Sequence, residues 1–341
     1  MNVRRRHLIP AAAATLSLLG VSACSTASGS ASGGSDGRLA VTASFYPLQF
    51  LAEQIGGENA RVTTLTEPGQ EPHDLEISPR QTGELGESDL ALYVKGLQPA
   101  VDEAIDQSGV ENAVDAGELT TLETAAQEEH SHEGEEGHDH AEGEEHAEEG
   151  HSHAGDEAHS ADDGHDHGPT DPHFWLDPVR YAEVAEGVGK AMAKADPDHA
   201  AAYGKNTDAL VAKLKALDTE FDEGLANTDT RTFITTHSAF GYLAARYGLE
   251  QESIAGVDPE NEPSPARMRQ LQEIAGHDGV TTVFFETLAS DKTAKTLASD
   301  TGLRTDVLDP VEGITDGSKG DDYFGVMRAN LAALQKALGA K

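Results

Sequence analysis

The stretch "PDHAAAYGKNTDALVAKLKALDTEFDEGLA" occupies residues 197–226 and determines how the rest of the chain is organised. Its leucine and phenylalanine residues recur at three- and four-residue spacing, which predicts a helix with one buried stripe. Pro197 is typical of a helix start. About thirty helical residues form a rod of roughly 45 Å, so we expect a rigid connection between two parts of the protein. The stripe consists of Leu210, Leu214, Leu217 and Phe221.

Short β-rich runs alternate with helix-like segments on both sides of this helix. The runs "RLAVTASF", "ARVTTLT" and "DLALYVKG" precede it, and "TFITTH", "ESIAGV", "VTTVFFE" and "RTDVLD" follow it. This alternation is typical of βαβ units that build a mainly parallel sheet. The predicted fold class is therefore α/β, with two Rossmann-like lobes joined by one long helix.

The two halves of the chain also resemble each other. "AVTASFYPLQFLAEQIGG" is similar in character to "FITTHSAFGYLAARYGLE", and "EPGQEPHDLEISPRQ" to "DPENEPSPARMRQ". A weak internal repeat of this kind favours two similar lobes, with ligands held between them at the carboxyl ends of the strands. We expect an N-terminal lobe over residues 38–196, a linking helix over 197–227 and a C-terminal lobe over 228–341.

The N-terminal segment has the features of an export signal. Three arginines precede an apolar run of about fourteen residues, which is too short to span a bilayer. The run ends in "VSAC", which resembles a lipobox, the processing site of bacterial lipoproteins. We expect residues 1–23 to be a signal peptide, Cys24 to be lipidated and residues 24–37 to form a flexible tether. The predicted location is the outer face of the cytoplasmic membrane.

A second unusual segment covers residues 127–168, where sixteen acidic residues accompany ten histidines without Lys or Arg. It lacks aromatic and branched aliphatic residues, so we expect a disordered loop that binds several divalent ions weakly. The net charge of the whole chain is −37, which excludes nucleic acid as a partner and favours cations. The histidines are His130, His132, His138, His140, His146, His151, His153, His159, His165 and His167.

Three histidines outside this loop follow predicted strands or lie in stiff, proline-rich sequence. They are His73 in "EPGQEPHDLEISP", His173 in "DPHFWLDP" and His237 in "TFITTHSAFGY". Zinc prefers imidazole nitrogens and carboxylate oxygens in a four-coordinate shell, so these three and one acidic residue would suffice. Asp309 in "RTDVLDP" is the preferred fourth ligand. Glu286 in "VFFETL" is its rival, or it orients a ligand histidine from behind.

The motifs "PHDLEISP", "DPHFWLDP", "THSAFGYLAARYGL", "FFET" and "LDP", in this order, resemble the zinc-binding lipoproteins of ABC-type metal uptake systems. The resemblance covers the chain from residue 38 to its end. It implies a metal between two α/β lobes, with His73, His173, His237 and Asp309 as ligands. Relatives that bind manganese or iron typically carry a carboxylate where this chain has His237, so the histidine trio favours Zn²⁺.

The resemblance implies a monomer that captures Zn²⁺ and delivers it to an ABC permease and its ATPase, held at the membrane by a lipid anchor at Cys24. Two alternatives remain open, namely a zinc buffer or metallochaperone without a transporter, and the same transport role for manganese or another divalent metal. An enzyme is not expected, because the sequence lacks the common hydrolase, P-loop and dinucleotide-binding motifs. A zinc hydrolase would need an open coordination position and a nearby general base, which Glu286 could supply.

Overall fold

The computed structural model describes residues 37–123 and 170–341. These residues form eight strands and nine α-helices. The strands are β1 Leu39–Ala43, β2 Ala60–Thr64, β3 Leu90–Tyr93, β4 Ala113–Asp115, β5 Thr232–Thr235, β6 Glu250–Ser253, β7 Thr282–Phe285 and β8 Arg304–Val307. The helices are α1 Tyr46–Gly56, α2 Pro79–Gly86, α3 Pro99–Ser108, α4 Pro178–Ala195, α5 Ala200–Leu225, α6 Gly241–Tyr247, α7 Pro265–His277, α8 Lys292–Thr301 and α9 Tyr323–Leu338.

The strands form two four-stranded sheets with the same topology. The first sheet has the order β2-β1-β3-β4 and the second the order β6-β5-β7-β8. Every pairing is parallel, for example Val41 with Val62 in the first sheet and Phe233 with Gln251 in the second. Parallel strands require crossover connections, and helices supply most of them. The internal repeat in the sequence therefore corresponds to two similar α/β lobes, and the predicted fold class is confirmed.

Local sequence explains where several helices begin. Ser78 and Gln81 form a capping box at the start of α2, in which each side chain bonds the other's backbone N–H. Asp177 accepts hydrogen bonds from two backbone N–H groups at the start of α4, and Ser264 accepts one at the start of α7. A proline occupies the first helical position after each of these caps, where its missing N–H costs nothing.

The long helix α5 runs for 26 residues, about 39 Å at 1.5 Å per residue. It packs against α1 and α4 of the first lobe and against α9 of the second. Its predicted stripe is buried, with Leu214, Leu217 and Phe221 fully inaccessible. The largest cluster of buried apolar residues runs from Leu39 to Leu338 and includes residues of both lobes. The lobes therefore share one core along α5, which favours a rigid body.

Helices α4 and α5 approach closely at a glycine. A Cβ atom added to Gly189 of α4 would lie 2.2 Å from the Thr207 hydroxyl of α5. That hydroxyl is itself held by the backbone carbonyl of Tyr203, 2.8 Å away, so it has little freedom to move. Only glycine therefore permits this contact between the helix that follows His173 and the helix that joins the lobes.

The strand predictions were accurate for most of the two sheets. The structure adds β4, a three-residue edge strand that has too few residues for a recognisable pattern. Strand β6 is Glu250–Ser253, so it begins two residues before the run "ESIAGV" that predicts it. No helix in the described ranges is both long and apolar enough to cross a membrane. Cys24 and the ten histidines of the loop lie outside the described residues.

Candidate metal centre

Four side chains from distant parts of the chain converge on one buried point. They are His73, His173, His237 and Glu312. Each contributes one nitrogen or carboxylate oxygen, and these four atoms lie within 4.8 Å of one another. The side chain of His73 is 9% exposed, and the other three are at most 1% exposed. The three predicted histidines are thus brought together, with a glutamate as the fourth member.

The distances from the Glu312 oxygen to the three nitrogens are close to those between the ligand atoms of a tetrahedral ion. Oε1 of Glu312 lies 3.5 Å from Nε2 of His73, 3.3 Å from that of His173 and 3.7 Å from that of His237. A tetrahedral Zn²⁺ with bonds of about 2.0–2.1 Å holds its ligand atoms roughly 3.3–3.4 Å apart. Among the described residues none of the four atoms has a hydrogen-bond partner. Buried polar atoms are nearly always hydrogen-bonded. Four such atoms without a partner, close to one another, therefore indicate that they bind a ligand.

His73 lies in the loop between β2 and α2. A small apolar cluster that includes Leu65 and Leu75 ties this loop to Val101 of α3. Within the loop, the carboxylate of Glu71 accepts a hydrogen bond from the backbone N–H of Asp74, at 3.1 Å. The loop thus leads from the carboxyl end of β2 and brings His73 to the other three residues of the cluster.

His173 is held by the acid two residues before it. Oδ1 of Asp171 lies 2.9 Å from the backbone nitrogen of His173 and 2.8 Å from its Nδ1. A carboxylate on Nδ1 places the proton there and leaves Nε2 free to bind a metal. The short 3-10 turn Phe174–Leu176 follows, and Trp175 packs against the His173 ring at a centroid distance of 5.1 Å. This buried aromatic contact fixes the plane of the imidazole.

His237 follows β5 and is oriented by a residue that follows β7. Its Nδ1 lies 2.6 Å from Oε1 of Glu286. Its backbone carbonyl accepts hydrogen bonds from Thr235 and Gln251, at 2.7 and 3.0 Å. Glu286 is therefore bound to the far side of His237, and it is not among the four converging side chains. This position fits one of the two roles that the sequence left open for Glu286, that of orienting a histidine from behind.

Asp309 is not part of the converging group, so the structure corrects the expected fourth member to Glu312. The carboxylate of Asp309 accepts hydrogen bonds from the backbone N–H of Val311 and from the hydroxyls of Thr287 and Ser318, at 2.8, 3.0 and 3.2 Å. These bonds engage both oxygens of the Asp309 carboxylate, and Glu312 is the acidic residue that lies beside the histidines.

Val311, between these two acids, has a φ of 59°, a backbone conformation that is rare for a β-branched residue. Holding a non-glycine residue in this region costs about 1–3 kcal/mol, so the surrounding contacts must enforce it.

The electrostatics of the centre are those of carboxylates facing imidazoles. Burial alone would lower the pKa of His173, but the Asp171 and Glu312 carboxylates outweigh it and raise that pKa. Burial also opposes the charged form of His237, yet Glu286 and Glu312 raise its pKa well above the ordinary value. Burial would raise the pKa of Glu312, and the three histidines instead bring it well below the ordinary value. A cation is therefore favoured at this point, either as protons on imidazole or as a metal ion.

Sequence reasoning missed two residues, Glu312 and Asp171. The signal for Asp171 was present in "DPHFWLDP", because an aspartate commonly accepts a hydrogen bond from the backbone two residues further on. Glu312 lies in "LDPVEG", three residues after the acid that we preferred. Nothing in the local sequence distinguishes these two acids, since their orientations depend on contacts with residues far away in the chain.

Comparisons with known proteins find relatives over most of the chain. Residues 41–337 match the family model described as "Zinc-uptake complex component A periplasmic" (ZnuA). The chain is 35% identical to the high-affinity zinc uptake system protein ZnuA of Bacillus subtilis, over 94% of each chain. It is 33% identical to the zinc-binding lipoprotein AdcA of Streptococcus pneumoniae, over 88% of this chain and 56% of that protein.

The fold is also similar to that of a solved structure. The Zn(II)-bound AdcA of Streptococcus pneumoniae superposes with a TM-score of 0.68 at 29% identity, covering 89% of this chain and 58% of that one. The chain thus spans little more than half the length of the AdcA proteins that it matches, but nearly the whole of the Bacillus protein. Because the family model covers almost all of the described residues, the chain belongs to the ZnuA family, the periplasmic component A of zinc-uptake complexes.

Proposed function

We propose that this protein binds one Zn²⁺ between its lobes, outside the cytoplasm, and delivers it to an ABC-type permease for uptake. The observation that carries the proposal is a set of four buried atoms that lie close together and have no hydrogen-bond partner among the described residues. His73 and His173 precede α5 in the chain, and His237 and Glu312 follow it. The names of the relatives, which refer to zinc binding and zinc uptake, support the same role.

The donor set favours zinc among the common divalent ions. Three imidazoles and one carboxylate suit Zn²⁺, whereas Mn²⁺ and Mg²⁺ prefer oxygen-rich shells. His73, His173 and His237 supply the nitrogens and Glu312 supplies the oxygen. Zn²⁺ in place of the protons on His173 and His237 would also neutralise the buried carboxylates around them. Cu²⁺ and Ni²⁺ suit the same ligands, so supply and geometry would decide between them and zinc.

The centre suits cargo better than catalysis. A catalytic zinc keeps one coordination position open for water or substrate, whereas four protein side chains close the shell. Glu286, the candidate base for a zinc hydrolase, is already hydrogen-bonded to His237 and to the hydroxyl of Thr236. We therefore propose that the protein is not an enzyme.

The anchor and the histidine-rich loop complete the proposal. Lipidation at Cys24 would hold the protein at the outer face of the cytoplasmic membrane, close to the permease. The loop over residues 127–168 would collect Zn²⁺ weakly near the cleft. A preformed pocket avoids the cost of ordering the chain, which is on the order of 1–2 kcal/mol for each residue, so we propose that the four buried side chains form the tight site.

Uptake of labelled zinc by cells tests the delivery step. Cells whose only copy carries His173→Ala should take up zinc at the rate of cells that lack the gene. Cells with His277→Ala, a change at an exposed histidine, should behave as wild type. If His173→Ala lowered the zinc held outside the cytoplasm but left uptake unchanged, the protein would be a zinc buffer and not a transport component.

A further inference from the structure

The turn that leads into Glu312 has an unusual backbone. Val311 is the single non-glycine residue with a positive φ in the described part of the chain, and its side chain is fully buried. A β-branched residue in this region is unfavourable on its own, and such residues concentrate where a fixed geometry is needed. The residue that follows is the acidic member of the metal centre.

The carboxylate of Asp309 holds this turn from one side. Oδ1 accepts the backbone N–H of Val311 at 2.8 Å, which closes a tight turn immediately before Glu312. Oδ2 accepts the hydroxyls of Thr287 and Ser318, at 3.0 and 3.2 Å, so the carboxylate cannot rotate away. Asp309 itself is 2% exposed.

Side chains from α9 and from the His173 segment hold the same turn. Asn330 accepts the N–H of Asp309 at 2.9 Å and donates to its carbonyl at 2.7 Å. Trp175, two residues after His173, donates its Nε1–H to the carbonyl of Pro310 at 2.8 Å. The turn is therefore tied to the segment that carries one of the ligand histidines, across the boundary between the lobes.

We propose that residues 309–312 form a positioning turn, in which Asp309 sets the place of the Glu312 carboxylate opposite the three imidazoles. The inference rests on the proposed zinc site and deepens it. Asp309 acts through Glu312 and does not touch the ion. The contacts of Asp309 hold Val311 in its unfavourable conformation, and this directs the following side chain into the buried centre.

A double-mutant cycle tests this dependence. Zn²⁺ affinity is measured by competition with a chelator for wild type, Asp309→Ala, Glu312→Ala and the double variant. Changes that disturb the orientation of a ligand typically reduce metal affinity on the order of 10- to 100-fold. We expect Asp309→Ala to show this loss alone and to show none in the Glu312→Ala background. A Co²⁺ titration should give the same visible spectrum for both single variants, different from wild type.

Asp309→Asn is the matched control. Its amide oxygen can still accept the Val311 N–H, and its NH₂ can donate to the hydroxyls of Thr287 and Ser318. We expect affinity within about threefold of wild type, whereas a residue that bound the ion directly would lose its charge and lower affinity as strongly as alanine does. Equal losses for Asp309→Asn and Asp309→Ala would overturn the inference, as would additive losses in the double variant.

A second variant covers the case in which Asp309→Ala does not fold. Thr287→Ala removes one of the two hydroxyls that hold Oδ2 of Asp309, so it loosens the turn and leaves Asp309 and Val311 unchanged. Its loss of Zn²⁺ affinity should also disappear in the Glu312→Ala background, and additive losses would overturn the inference. A different result would reject the proposed function. If wild type bound Zn²⁺ weakly and Glu312→Ala did not change that affinity, the zinc site itself would be wrong.

Discussion

Oε1 of Glu286 lies 2.6 Å from Nδ1 of His237, and the same oxygen accepts a hydrogen bond from the hydroxyl of Thr236. Glu286 follows β7 and His237 follows β5, and these two strands are neighbours in the second sheet. The pairing of two strands thus places a carboxylate behind His237, which holds the Nδ1 hydrogen and directs Nε2 towards the other three side chains of the cluster.

We predict that Glu286→Gln weakens Zn²⁺ binding on the order of 10- to 100-fold. The amide can still accept the Nδ1 hydrogen, but it lacks the charge that makes the imidazole a strong ligand. The measurement is a chelator competition titration. Glu84→Gln, a change in an exposed ion pair with Arg80, is the control and should bind as wild type. Unchanged affinity in Glu286→Gln would mean that the carboxylate only packs against the ring.

Asp171→Asn should have a similar effect on the other side of the centre. Oδ1 of Asp171 contacts both the backbone nitrogen and Nδ1 of His173, so asparagine keeps the turn but loses the charge. We expect a loss of Zn²⁺ affinity with little change in the melting temperature of the zinc-free protein. A large fall in that melting temperature with unchanged affinity would assign Asp171 to folding alone.

Zinc affinity should fall as the pH is lowered, beginning above pH 6.5. Binding requires neutral imidazole, and the pKa values of His173 and His237 are raised, so protons compete at a higher pH than for an ordinary histidine with a pKa of 6.5. Titrations at pH 8, 7 and 6 measure this, with the exposed His277→Ala as a control that leaves the profile unchanged. Constant affinity between pH 8 and 6 would contradict imidazole ligation.

The zinc-free protein should show the opposite trend over the same pH range. The raised pKa values of His173 and His237 contribute stability that is fully present below 6.5 and is lost as the pH rises through the folded-state values. The lowered pKa of Glu312 contributes stability that is present above 4.5 and is lost as the pH falls. For these groups the zinc-free fold is thus most stable between about pH 4.5 and 6.5. Melting temperatures without metal check this.

A pair of glycines tests the packing of the linking helix. Gly189→Ala should destabilise the protein by about 1–3 kcal/mol, because its Cβ would collide with the Thr207 hydroxyl, 2.2 Å away. Gly204→Ala, in the same helix pair but with nothing within 4 Å of the added atom, should stabilise it by about 0.5–1 kcal/mol. Chemical denaturation without metal measures both, and equal effects would contradict the close approach of α4 and α5.

Much of the fold and of the candidate site could be predicted from sequence, because it depends on residues that are near each other in the chain. The strands that carry the site have apolar runs that end in polar residues, so His237 and Glu286 were expected at one edge of a sheet. His73 and His173 stand out because proline restricts the backbone around them. The stripe of α5 follows the helical period, so the rigid connection was also visible.

The fourth member of the site could not be predicted, because its position depends on distant contacts. Asp309 and Glu312 are three residues apart in a loop without periodicity. The carboxylate of Asp309 is hydrogen-bonded to Thr287 and Ser318, and its backbone N–H to Asn330. These partners are 22, 9 and 21 residues away from Asp309 in the chain. The short edge strand β4 was missed for a related reason, since it is defined by its pairing with β3 and not by its own three residues.

The most direct test is a Zn²⁺ titration of mature protein that lacks residues 127–168. The deletion should be tolerated, because the backbone nitrogen of Asp171 donates to the carbonyl of Glu123 at 3.1 Å and a short connection can join them. We predict that one tight site remains and that Glu312→Ala weakens it. Loss of tight binding together with the loop would contradict this account and place the functional site in the histidine-rich segment.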